Sequence, residues 1–142
     1  LGTSYEKIYN VFLNKIIDFD LPQMEDEELL QYCDSIFFSA MPKIKSFDTS
    51  DLTDRDDAER FFTEVLTDTE CEVISCQMVV EWIDRKVNNV QLLHMFAGTK
   101  DENMASQANQ MKAMLELKKD QRNTVTTLMR DVGYRTWVKG DE

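Results

Sequence analysis

Residues 66–85 read LTDTECEVISCQMVVEWIDR, and the reading of this stretch decides the fold. Thr67 and Glu70 have capping-box spacing, in which the hydroxyl and the carboxylate each satisfy a backbone amide left unpaired by the first helical turn. Leu66, just ahead, stands where a hydrophobic staple residue belongs. The spacing predicts a helix from about Asp68 to Phe96, with Gly98 as its stop. Ile74, Met78, Trp82 and Ile83 mark a core side, with Val79, Val80 and Val87 adjacent. Apolar residues lie on most sides between Val73 and Ile83, the pattern of a central helix packed by several neighbours.

Upstream, two helices are expected to pack on this one. Thr3 and Glu6 repeat the capping-box spacing, and Tyr5, Ile8, Tyr9, Phe12, Leu13 and Ile16 recur at three and four, predicting a helix over about 4–18. Glu25, Asp26, Glu27 and Glu28 open a second helix, where acids face the positive end of the helix dipole. Its stripe is Leu29, Cys33, Ile36, Phe37, Ala40 and Met41, and Pro42 ends or kinks it near Met41. In residues 43–66, Ser46 to Asp57 reads as an acidic surface loop, Asp54 to Phe62 fits a short helix and Phe61 to Leu66 equally an extended run, with an extended or irregular link favoured.

Downstream, Thr99 and Glu102 give a third capping-box spacing. A long helix follows to about Val132, with an apolar stripe of Met104, Ala108, Met111, Leu115, Val125, Leu128, Met129 and Val132, and with Gly133 as its stop. At 1.5 Å per residue it is about 40–45 Å long, more than the diameter of a small bundle, so part of it is expected to project towards another molecule. Residues 116–127 are largely polar, consistent with less burial there. Residues 134–142 then form a short extended tail. The expectation is a single all-α domain over 1–142: a bundle of about four helices over 1–133, then the tail.

Four glycines and two prolines in 142 residues supply too little turn chemistry for a many-stranded sandwich or barrel. The net charge of −11 is unevenly spread: residues 18–72 hold 17 acids against 4 bases, whereas residues 73–142 are nearly balanced. Such a chain lacks the basic stripe that displaces phosphate counterions, so no nucleic-acid-binding residues are expected, and an anionic membrane surface repels it. No apolar run approaches the ~20 residues of a membrane span. The odd cysteine count (Cys33, Cys71, Cys76), with no secretory leader in the sequence, points to reduced thiols in a cytosolic compartment. Cys71 and Cys76, five apart, fall about 140° apart on a helix and cannot share a metal there.

Each candidate chemistry has a plainer explanation. His94 is the single histidine: alone it cannot build a His-rich metal site, and a triad would need a positioned nucleophile and a third group beside it. No glycine-rich phosphate loop occurs. Glu25-x-x-Glu28 and Glu81-x-x-Asp84 place paired acids on helical faces, as all-α Mg²⁺-dependent nucleotide pyrophosphohydrolases do. The 52 residues between the pairs exceed that family's gap, and Glu25 and Glu28 already serve the dipole. Asp51 to Glu59 lacks the central glycine and the spaced terminal Glu of an EF-hand and reads as a solvated loop. The eight methionines at helical spacing are core filler. No enzyme, cofactor or metal is expected. The tail differs: Tyr134, Arg135, Trp137 and Val138 include the aromatic and arginine types enriched at protein–protein hot spots and are the candidate partner-binding residues.

The order of these phrases, TSYEKIYNVFLNKI, MEDEELLQYCDSIFFSAM, DLTDRDD, TEVLTDTE, MVVEWIDRKVNNV and SQANQMKAMLELKKDQRNTVTTLMRDVGY, resembles the small head–tail connector, or adaptor, proteins of tailed bacteriophages, over most of the chain. The resemblance implies a structural virion protein made in the host cytoplasm and placed at the neck. It implies a ring of about twelve copies beneath the portal that extends the DNA channel and docks the next neck or tail protein. It also implies that the C-terminal segment, here Tyr134 to Val138, reaches towards the portal. An acidic ring suits DNA that must slide through without being held. The alternatives are another helical interaction module or virion component, or the hydrolase weighed above.

Overall fold

The computed structural model describes residues 2–16, 24–44, 51–97 and 101–140, with side chains described over 2–16, 24–44, 51–88 and 108–131. The described residues are all-α apart from one small hairpin: α1 (Tyr5–Lys15), α2 (Asp26–Ala40), β1 (Arg55–Asp56), β2 (Phe61–Phe62), α3 (Asp68–Ala97) and α4 (Asp101–Gly140). α3 is the centre, packed by α1, α2 and α4. The reason lies in its sequence: Val73, Ile74, Met78, Val79, Val80, Trp82 and Ile83 are all buried, on more than one side of the helix. The Thr67–Glu70 capping box forms as expected. The Glu70 amide donates to Thr67 Oγ1 at 3.1 Å, and the Thr67 amide donates to Glu70 Oε1 at 3.0 Å. Leu66 is buried against the core. The Gly98 stop and the Thr99–Glu102 capping box fall on residues whose structure or side chains lie outside those described. Among the described residues no helix is long and apolar enough to cross a membrane.

At α1 the expected capping box is replaced by two separate contacts. Ser4 is the N-cap, its hydroxyl accepting from the Glu6 amide at 3.2 Å. Thr3 is buried, and its hydroxyl accepts from the Leu66 amide at 2.8 Å. Residues 2–5 thereby run beside the hairpin: the Phe62 amide donates to the Thr3 carbonyl at 2.8 Å, and the Tyr5 amide to the Arg60 carbonyl at 2.9 Å. Gly2 is required by this approach, since a Cβ there would lie 1.6 Å from the Phe62 carbonyl oxygen.

The 43–66 link is more ordered than its composition suggests. α2 ends at Ala40, and Pro42 sits in a single 3₁₀ turn, Met41–Lys43. β1 and β2 then pair antiparallel, with Arg55 opposite Phe62 and Asp56 opposite Phe61. Arg60 closes the turn with φ of 59°, a left-handed conformation uncommon for a residue with a Cβ. Two anchors hold it. Phe62 packs on Tyr5 and Phe37 at ring-centroid distances of 5.1 and 6.0 Å. The Arg60 guanidinium clasps both oxygens of Asp34 on α2, at 2.7 to 3.1 Å.

α4 departs most from expectation. Its 40 residues run through Gly133 to Gly140, about 60 Å at 1.5 Å per residue. Residues 134–140 are therefore helical backbone, not an extended tail. A glycine inside a helix costs about 1 kcal/mol relative to alanine but does not forbid the conformation. The expected stripe holds at Val125, Leu128 and Met129 but not at Ala108 and Leu115. Met114 is buried; Leu117, Val125, Leu128 and Met129 are half-buried against the core; Ala108 is exposed, and Leu115 is 45% exposed. The face turned to α3 runs on through Lys118, Gln121 and Thr124, which are polar yet half-buried. Lys118 is held there by Asp84 of α3 at 2.5 Å.

Candidate interaction site

Of the residues weighed for chemistry, Glu81 and Asp84 are engaged in holding the fold. Glu81 of α3 is 7% exposed and accepts from Lys43 at 2.6 Å and from Gln77 at 3.1 Å. Its i+3 neighbour Asp84 pairs with Lys118. The Glu81–Asp84 pair is thus split between two different lysines, which bind the 3₁₀ turn and α4 to α3. Glu25 and Glu28 are exposed at the start of α2, and no hydrogen bond or ion pair of their side chains occurs among the described residues.

In the Asp51 to Glu59 segment the four aspartates are engaged in hydrogen bonds. Asp51 accepts from the Thr53 amide and hydroxyl, and these hydrogen bonds hold its carboxyl below the usual range. Asp56 accepts from the Ala58 and Glu59 amides, and Asp54 from the Thr63 hydroxyl. Asp57 accepts from Tyr5 at 2.6 Å and from Arg55 at 3.0 Å. Among the described residues no three His, Cys, Asp or Glu side chains gather where a metal ion would sit. His94 lies on α3, with its side chain outside the described residues.

The three cysteines are free and buried. Burial pushes the Cys33 thiol up to about 11, with Asp34 adding to the rise. It pushes Cys76 up to about 12, with the Lys15 charge opposing. These are packed thiols, not poised nucleophiles.

Two surface features remain. One side of α4 carries Leu115, Lys118, Lys119, Arg122, Asn123 and Thr126, which line an open groove of about 480 Å³. Their spacing (i, i+3, i+4, i+7, i+8, i+11) is that of a single helical face. Lys118 is neutralised by Asp84, but Lys119 and Arg122 are exposed and have no ion-pair partner among the described residues. Arg122 also borders a second groove of about 490 Å³ with Lys43, Gln77, Asp84 and Val125, at the α3–α4 seam. A separate groove of about 360 Å³ lies between α1 and α2. Its walls are Tyr9, Leu13, Leu29, Leu30 and Cys33, and its polar members are Glu6, Asn10 and Asp26.

The sequence-predicted partner residues Tyr134, Arg135, Trp137 and Val138 all fall on the last turns of α4. Helical spacing puts positions 134, 137 and 138 on one face and position 135 to its side. Their side chains lie outside the described residues. Sequence reading missed the Leu115 face, because Leu115 was counted into the core stripe. The signal available was a leucine followed by cations at i+4 and i+7.

Comparison with known protein families, curated proteins and solved structures gives no match to this chain.

Proposed function

We propose that this chain is a non-catalytic helical interaction protein and, more narrowly, a head–tail connector subunit of a tailed-phage neck. The observation that carries the interaction reading is α4: 40 residues long, packed along one side against α3, and bearing a groove with exposed Leu115 and two unpaired cations on another. A helix of that length beside α1 and α2, of 11 and 15 residues, offers more surface than the bundle uses. The narrower reading rests on the sequence resemblance and on the acidic surface. At −11 per copy, a ring of such subunits repels the DNA backbone and allows it to slide. In this reading the subunits form a ring beneath the portal, the end of α4 around Tyr134 to Val138 meets the portal, and the next neck or tail protein docks on the opposite side.

The test is mass spectrometry of purified virions together with electron microscopy of the neck. The expected result is this chain in multiple copies, as a ring between portal and tail. A particle that lacks the chain refutes the connector reading.

A further inference from the structure

We infer that two copies of this chain associate head to tail, with the Leu115–Lys119–Arg122 face of α4 lying in the groove between α1 and α2 of the next copy. The inference deepens the connector reading and rests on it only for the expectation that copies assemble.

Three observations point to a second copy as the occupant. The first is charge. Glu6 and Asp26 rim the α1–α2 groove, both are exposed, and neither side chain has an ion-pair partner among the described residues. Glu25, Glu27 and Glu28 extend the same unpaired acidic turn. By contrast, several other acids are committed: Asp34 of α2 to Arg60, Asp57 of the hairpin to Arg55, and Glu72, Glu81 and Asp84 of α3 to Lys15, Lys43 and Lys118. Glu59, Glu116, Asp120 and Asp131 are also exposed without an ion-pair partner among the described residues, but the densest group of such acids is Glu6 and Asp26 at the groove with Glu25, Glu27 and Glu28 beside Asp26, and Lys119 and Arg122 are uncommitted cations on one face of α4. The second observation is apolar complementarity. Leu115 is 45% exposed, and the groove wall offers Leu13, Leu29 and Leu30. Leu115 sits one turn before Lys119 and two turns before Arg122, so one helix face delivers an apolar anchor and two cations together. The third is that the two surfaces are different and belong to the same chain. A contact between unlike surfaces is heterologous: it repeats from copy to copy and closes into a ring when the rotation allows.

The test uses the full chain and two variants neutral at exposed positions: Lys119→Gln with Arg122→Gln on α4, and Glu6→Gln with Asp26→Asn at the groove. Helical content by circular dichroism checks that each stays folded. Sedimentation at fixed ionic strength gives the association state. Each variant alone is expected to self-associate roughly 5- to 30-fold more weakly than the parent, the effect of losing two partly exposed charge pairs. Mixed one to one, the two variants regain a single functional contact, from the intact α4 of one to the intact groove of the other. They are expected to stop at a heterodimer of twice the 16.6 kDa chain mass. A parent that stays monomeric at high concentration overturns the inference, as do variants that assemble like the parent and a mixture that forms no heterodimer. These outcomes are separate from the virion test: copies that assemble through another surface leave the connector reading standing, and a chain absent from virions leaves this contact standing.

Discussion

Asp34 is the residue on which three elements converge, and its removal has a calculable cost. Its carboxylate accepts from the Tyr9 hydroxyl of α1 at 2.5 Å and from Arg60 of the hairpin at 2.7 to 3.1 Å, while Asp34 itself stands on α2. In Asp34→Ala the Tyr9 hydroxyl, on a side chain 2% exposed, loses its acceptor. An unsatisfied buried donor costs about 1–3 kcal/mol. Arg60 is 36% exposed, so water takes over much of its solvation and the lost ion pair adds only about 0–1 kcal/mol. Alanine's better helix propensity returns about 0.5 kcal/mol on α2. The net expectation is a loss of about 2 kcal/mol, measured by urea unfolding followed by circular dichroism at pH 7. Tyr9→Phe is expected to be costly in the parent but to restore part of the lost stability beside Asp34→Ala, because it removes the hydroxyl left without an acceptor. The pH dependence has a definite sign. Burial pushes the Asp34 carboxyl up, but the hydrogen bonds from Arg60 and Tyr9 and the Arg60 charge outweigh it and hold the group below the ordinary carboxylate value. Its stabilisation is therefore complete above the unfolded value of about 4 and is lost as pH falls through the lower folded value. The gap between parent and Asp34→Ala should narrow on acidification below about pH 4. A loss under about 0.5 kcal/mol at pH 7, or full additivity with Tyr9→Phe, refutes the view that this carboxylate clasps the hairpin to the helices.

Two further outcomes follow from the helix cap and the thiols. Thr67→Ala removes the acceptor of the Glu70 amide at the start of α3 and should lower stability by about 1 kcal/mol in the same unfolding assay. Cys33, Cys71 and Cys76 are all at most 2% exposed, with thiols raised chiefly by burial. A hydrophilic alkylating agent at pH 8 should label them slowly in the folded chain and completely in urea, read by intact mass. Rapid labelling of any one without denaturant contradicts its packed role.

The parts of the fold legible in the sequence are those fixed by neighbouring residues. The Thr67–Glu70 box and the all-round apolar run of α3 are local signals, and both appear as read. Thr3 carries the same spacing relative to Glu6, but its hydroxyl is taken by Leu66, 63 residues away. No local pattern reports that competition. The hairpin was hidden for two reasons. Two-residue strands carry no periodicity, and its turn uses Arg60 in the left-handed region where glycine is the usual marker. On α4 the buried side passes through Lys118, Gln121 and Thr124, so apolar spacing alone placed Leu115 inside when Met114 is the buried residue. The α4 groove went unseen for the same reason. The groove between α1 and α2 needs two helices brought together and has no signature in either alone.

Self-association of this chain has an electrostatic obstacle that makes local complementarity decisive. Each copy carries −11, so bringing copies together is opposed over distances comparable to the Debye length, about 8–10 Å at physiological salt. Added salt screens that general repulsion and, at the same time, the attraction between Lys119 or Arg122 and Glu6 or Asp26. A salt titration therefore mixes two terms of opposite sign and has no unique reading. The paired neutral variants separate them. Removing two cations from α4 makes each copy more negative, and removing two acids from the groove makes it less negative. If overall charge governed assembly, the first change would weaken it and the second would strengthen it. If the two faces meet each other, both changes weaken it. The direction of the groove variant alone thus decides between a non-specific balance of charge and a specific contact, with the fold of α1 and α2 left in place because Glu6 and Asp26 are exposed and unpaired.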